Sequence, residues 1–283
     1  MRRHFFSGIS APTITLIASL WSMTGYAFFV DVDQFSIVRN GAAFFNDTFG
    51  DGVVPPSGPF GAATYNVFGT IPNTAESGGL LRLDTANGAV SANALDQARI
   101  EVRARLLTNI DPTNPDAGLK SDDTLQLTGI FSLTTPSGLS NPQYSIRFND
   151  NSGAGAHQLL QLQVRFNTAA GLPEIRYILQ DFDANTIAVL GSDPFAPPAG
   201  ADEILLRITR PDTANDEFFG SYSYVTGGVA GPAHTFLTPG LGFQGENFVR
   251  AEFNIAEGVP EPATLALIGL GLAGLGFGRR RKA

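Results

Sequence analysis

The chain has 283 residues, a net charge of −8 and no cysteine. Disulfide stapling and thiol chemistry are therefore excluded, and the surplus of acid argues against nucleic acid as a partner. The length suffices for one domain with a sizeable core.

At the start of the chain, Arg2, Arg3 and His4 form a positive segment and residues 9–23 are mainly apolar. Gly25-Tyr26-Ala27 then places small residues where a signal peptidase reads them. This order predicts a signal peptide over residues 1–27, cleaved after Ala27. Removing Arg2, Arg3, Arg279, Arg280, Arg281 and Lys282 from 18 cations, and Glu261 from 26 acids, leaves 12 against 25 for residues 28–258. A body near −13 favours solubility or divalent cations.

Along that body the dominant period is two, the mark of strands with one buried face. Ala98, Ile100, Val102, Ala104 and Leu106 point one way, while Arg99, Glu101, Arg103 and Arg105 point the other. The same alternation predicts strands over residues 144–149, 160–166 and 249–255, and shorter ones over 80–83, 124–133, 174–180, 204–210 and 218–225. Clusters of Gly, Pro, Asn and Asp at 111–123, 135–142, 149–156, 191–200 and 226–232 read as the intervening loops. No amphipathic helix pattern lies between them. Many short strands joined this way predict an all-β, antiparallel sandwich or barrel.

Phe44-Phe45-Asn46-Asp47-Thr48-Phe49-Gly50-Asp51-Gly52, followed by Ser77-Gly78-Gly79-Leu80-Leu81-Arg82-Leu83, resembles the opening of concanavalin-like lectin/glucanase jelly rolls. Residues 204–210 with 218–224 resemble the later hairpin of that fold. The resemblance implies an antiparallel β-sandwich of jelly-roll type. It also implies that the Gly-Leu segment returns beside the strand that holds Phe44 to Phe49, and that a closing strand at 248–255 joins the first sheet.

Glucanases of this fold place two glutamates around an aspartate on alternate positions of one strand, so that acid and nucleophile share a face. The nearest echo here is Asp181-Phe182-Asp183, without a glutamate. His157 and His234 lie in Gly/Ala-rich stretches outside any zinc-binding spacing. No nucleophile elbow or phosphate loop occurs, and no enzymatic activity is expected. Asp111, Asn114 and Asp116 supply hard oxygen ligands of the sort calcium takes, but a solvated turn cluster has the same composition. No other cofactor is indicated. Arginines occupy the polar phase of several strands. If those strands are neighbours, Arg103, Arg165 and Arg176 form a guanidinium face suited to carboxylates or sulfates on a glycan. The alternative is cross-strand pairing with Glu101, Glu174 or Glu252.

The chain ends on Val259-Pro260-Glu261-Pro262, an uncharged Gly/Leu/Ala run over residues 263–278, and the cluster Arg279-Arg280-Arg281-Lys282. Sixteen helical residues span roughly 24 Å, short of a hydrocarbon core of about 30 Å. The basic cluster stays on the cytoplasmic side and places the prolines outside, where they keep the chain extended. This tail resembles the sorting tail of PEP-CTERM proteins, which Gram-negative bacteria that make exopolysaccharide secrete. The resemblance implies recognition at the Pro-Glu-Pro strip by an exosortase-type membrane protease, transient anchoring by a hydrophobic helix, and delivery to the cell surface or extracellular matrix. A non-catalytic surface or matrix protein associated with exopolysaccharide is the expected function. A lectin-like carbohydrate-binding module is the alternative, and a glycan-degrading enzyme a remote one.

Overall fold

The computed structural model describes residues 28–50, 63–68, 78–85, 89–93, 96–108, 123–134, 141–150, 158–167, 172–212, 217–238 and 249–258. Its strands are β1 (Phe29–Arg39), β2 (Ala42–Asp47), β3 (Ala63–Phe68), β4 (Leu81–Asp84), β5 (Ala89–Asn93), β6 (Asp96–Thr108), β7 (Leu125–Ser132) and β8 (Gln143–Asp150). They continue as β9 (Gln158–Asn167), β10 (Leu172–Asp181), β11 (Thr186–Pro194), β12 (Glu203–Arg210), β13 (Phe218–Thr226), β14 (Val229–Ala230), β15 (His234–Thr238) and β16 (Val249–Gly258).

One sheet runs β14, β13, β12, β7, β1, β2, with β15 also on β13 and β4 also on β1. The second runs β11, β10, β9, β8, β16, β6, β3, with β5 also on β6. The chain passes back and forth between them, so sequence neighbours such as β6 and β7 lie in opposite sheets. The result is the expected antiparallel β-sandwich, with crossings of the jelly-roll kind. Alternation supplies its interior: Ile204, Leu206 and Ile208 of β12 face Leu160, Leu162 and Val164 of β9 in one buried cluster. Aromatic rings fill the gap between the sheets. Phe35 meets Phe253 at 4.6 Å between centroids, Phe131 meets Tyr144 at 5.1 Å, and Phe148 meets Phe218 at 6.2 Å. Each such side chain contributes about 1.5–3 kcal/mol by burial.

Two local features show how close the sheets come and how the first hairpin turns. A Cβ on Gly220 of β13 would sit 2.8 Å from the Tyr177 ring of β10, so only glycine admits that ring. Asn40 and Gly41, at φ of 50° and 76°, close the two-residue turn between β1 and β2, where Arg39 pairs with Ala42.

The structure corrects three sequence expectations and adds one strand that alternation does not announce. The closing strand β16 lies between β6 and β8 in the second sheet, whereas β1 lies in the first. The Gly-Leu segment, β4, pairs with the first half of β1, and β2 pairs with the second half, so the two follow one another along the same side of β1. Residues 191–194, expected as loop, belong to β11 and pair with residues 174–177. Pro194 is tolerated there because β11 is an edge strand. β1 itself escapes period-two reading because a register shift between Val32 and Gln34 moves its inward set from Val30 and Val32 to Phe35 and Ile37.

Candidate functional site

Tyr144, Ile146 and Phe148 of β8 face the core, so Gln143, Ser145 and Arg147 face away on the outer side of the second sheet. Register then assembles rows across that side. One row runs Asn254, Ser145, Gln163, Arg176, Ser192, with Arg103 at the register position of β6 that pairs with Asn254, and the next runs Ala256, Gln143, Arg165, Glu174. The three arginines singled out in the sequence thus occupy adjacent rows of one sheet.

Their surroundings include acids. Arg147 Nε donates to Glu252 Oε2 at 2.7 Å, and the two side chains are 8% and 0% exposed. Arg176 Nε lies 3.6 Å from Glu174 Oε1, and Ser192 Oγ donates to Glu174 Oε2 at 3.0 Å. Gln161 Nε2 donates to Ser145 Oγ at 2.9 Å and to Gln163 Oε1 at 3.0 Å, and Ser145 Oγ donates to Asn254. These contacts form a buried polar network that fixes strand register, and they neutralise part of the cationic face.

The outer side of the first sheet has a different chemistry. Its central row runs Asn46, Ser36, Thr128, Arg207, Ser221, Thr235 across β2, β1, β7, β12, β13 and β15. Hydroxyl and amide groups surround one cation. Elsewhere on this sheet arginines are paired: Arg39 Nε lies 2.6 Å from Asp123 Oδ2, and Arg82 forms two bonds to Asp31 at 2.8 and 2.9 Å while covering the Phe29 ring. Among the described residues, Arg207 has no acidic or hydrogen-bonding partner. Alternation along β12 gives Arg207 an outward face, without indicating that β12 belongs to the opposite sheet from Arg165 and Arg176.

Where β11 of one sheet meets β13 and β15 of the other, a polar and aromatic group gathers. Tyr222 donates from its hydroxyl to Asp193 Oδ2 at 3.0 Å, His234 stacks on the Tyr222 ring at 4.7 Å, and His234 Nδ1 lies 4.0 Å from the same carboxylate oxygen. Burial first, and then Asp193, push the Tyr222 phenol well above its ordinary value. His234, expected in a loop, is therefore the first residue of β15 and part of a clasp between sheet edges.

The acidic candidates separate. Asp181 ends β10 and accepts from the Ala184 amide at 2.8 Å and from Gln158 Nε2 at 3.2 Å, while Asp183 lies exposed in the following turn. The two carboxylates do not share a strand face, because the strand stops between them. Among the described residues no group of three or more His, Asp or Glu side chains could hold a metal ion. His157, the calcium candidates Asp111, Asn114 and Asp116, the cleavage residue Ala27 and all of 259–283 lie outside the described residues.

Glu203, on the outer side of β12, has its pKa raised by burial first and then by Asp33 and Asp202; burial likewise raises Asp33. A raised folded value makes the carboxyl's contribution fully favourable only below its unfolded pKa of about 4.3, and that contribution is lost as pH rises through the folded value. Glu203→Gln is therefore expected to raise Tm by about 1 °C at pH 7, a half-exposed carboxylate being screened by solvent, and to change nothing below about pH 4. Thermal unfolding followed by circular dichroism at the two pH values measures this.

The segment that follows β16 is decided by comparison. Residues 258–282 match the PEP-CTERM protein-sorting motif. The chain carries an exosortase recognition signal. The PEP-CTERM tail marks it for export and for membrane-anchored processing by an exosortase. No match was found among curated proteins. Among solved structures, the CBM2 module of the evolved Dit of Lactobacillus casei BL23 phage J-1 is similar over 79% of this chain and 89% of its own, at 11% identity and a TM-score of 0.42.

Proposed function

We propose that the protein is a non-catalytic component of the cell surface or extracellular polysaccharide layer of a Gram-negative bacterium, delivered by processing of its PEP-CTERM tail. In this reading residues 1–27 are a signal peptide removed after Ala27 by signal peptidase, residues 28–258 are the delivered sandwich, and residues 259–283 are the sorting tail. Val259, Pro260, Glu261 and Pro262 present an extended strip to the exosortase, because proline resists helix continuation where the chain meets the membrane. Arg279, Arg280, Arg281 and Lys282 hold the far end in the cytoplasm, so the strip is presented on the outer side. The observation that carries the reading is the motif match over residues 258–282.

Replacing Pro260, Glu261 and Pro262 together by alanine tests it. The wild-type protein is expected in the extracellular fraction and the variant in the membrane fraction at full length. Equal release of both would contradict recognition at this strip.

A lectin-like module remains the second reading, and one observation favours it. The outer side of the first sheet offers a row of hydroxyl and amide groups about a solitary arginine, a surface matched to the hydroxyls of a glycan.

A further inference from the structure

We propose that the outer face of the first sheet holds an oxyanion subsite, centred on Arg207, for a carboxylate or sulfate group of an acidic polysaccharide. The subsite rests on the reading of the protein as a resident of a polysaccharide layer, and it names the chemistry of the polymer.

Arg207 sits directly across from Thr128 on β7 and from Ser221 on β13. Thr128 is 5% exposed, and its Oγ1 is covered without a hydrogen-bond partner. Arg207 Nε is covered and unpartnered in the same way, while the residue as a whole is only half-buried. Two adjacent donors on opposed residues are thus both unsatisfied. Both atoms are closed to solvent, so an external oxyanion meets the remaining, accessible part of the half-buried Arg207 side chain, which no described acid neutralises. A guanidinium fork fits the planar carboxylate or the face of a sulfate in a bidentate manner, which a point charge does not.

The rest of the row fits a polymer lying across the strands. Asn46, Ser36, Thr128, Arg207, Ser221 and Thr235 follow one another at the inter-strand spacing of about 4.8 Å, a line of roughly 24 Å without a second charge. On β12 itself the outward acid Glu203 stands four residues from Arg207, about 13 Å along an extended strand. It leaves the arginine unpaired and discourages a second anionic group at that end of the face. The second sheet lacks this isolation, since Glu174 and Glu252 occupy its arginines Arg176 and Arg147.

The test uses the full chain as recovered from its host and measures affinity for polygalacturonate against its methyl ester, and for dextran sulfate against dextran. Wild type is expected to bind the charged member of at least one pair and to discriminate against its neutral partner. The pair that discriminates identifies carboxylate or sulfate as the source. Arg207→Gln is expected to weaken that binding by at least about tenfold with the fold intact by circular dichroism. Ser221→Asp, which sets an acid beside Arg207, is expected to abolish it as well and serves if Arg207→Gln does not fold. Equal binding of charged and neutral polymers by wild type, or unchanged binding by either folded variant, overturns the proposal. Normal tail processing without charge discrimination overturns this subsite alone, whereas an unprocessed chain that binds through Arg207 overturns the sorting reading alone.

Discussion

Replacing Glu252 by alanine is expected to destabilise the sandwich by about 3–5 kcal/mol, the cost of leaving a buried cation without its counter-charge. Glu252 lies on β16, the last described strand, and its carboxylate accepts from Arg147 Nε of β8 at 2.7 Å with both side chains almost wholly covered. The pair opposes these residues directly in register, so it joins the final strand to one that entered the sheet about a hundred residues earlier. Removing both partners is a different case: Arg147→Met with Glu252→Leu is expected to recover most of the loss, because no charge then stays buried. Urea unfolding of the wild type and the two variants measures both effects. A loss below about 1 kcal/mol for Glu252→Ala would place the pair in the weak class of solvent-exposed bridges.

Phe253→Ala, one residue further along β16, is expected to cost about 3–5 kcal/mol through the opposite face of the same strand. Its ring is fully buried and touches Phe35 at 4.6 Å and Phe49 at 6.0 Å, both from the first sheet side of the sandwich. Truncation therefore opens a cavity between the sheets at the position where β16 and β1 face each other. Phe253→Leu should cost markedly less, since it keeps most of the buried volume. Equal losses for alanine and leucine in thermal unfolding would indicate that ring shape, and not volume, holds the sheets together there.

Much of the fold is legible in the sequence because inward and outward residues alternate without interruption in strands such as β9 and β12. The strands that escape are those where physical circumstances remove that signal. In β1 a register shift breaks the alternation, although the Asn40-Gly41 dipeptide at its end is a hairpin signature that locates the turn. In β11 the edge position leaves residues 186–189 exposed on both faces, so no apolar period arises.

The candidate site is legible to a lesser degree for a related reason. Alternation tells that Arg103, Arg165, Arg176 and Arg207 lie on outward faces, but sheet membership depends on which distant strands become neighbours. Pairing alone puts Arg207 on the other sheet from the rest, whereas the acid beside Arg176 is Glu174, two residues away on the same strand. Asp181 and Asp183 stand two residues apart, the spacing of one strand face, but a turn at residues 182–185 separates them. The PEP-CTERM tail was legible because its order of prolines, apolar run and cations is a linear code that needs no fold.

The central claim is that this sandwich is cargo whose C-terminal segment is removed on delivery. Intact-mass spectrometry of the protein recovered from the extracellular polysaccharide layer tests it most directly. The predicted result is a chain that begins at Phe28 and lacks both the apolar run 263–278 and the basic cluster 279–282. A mass that retains Arg279, Arg280, Arg281 and Lys282 in the extracellular protein would contradict it.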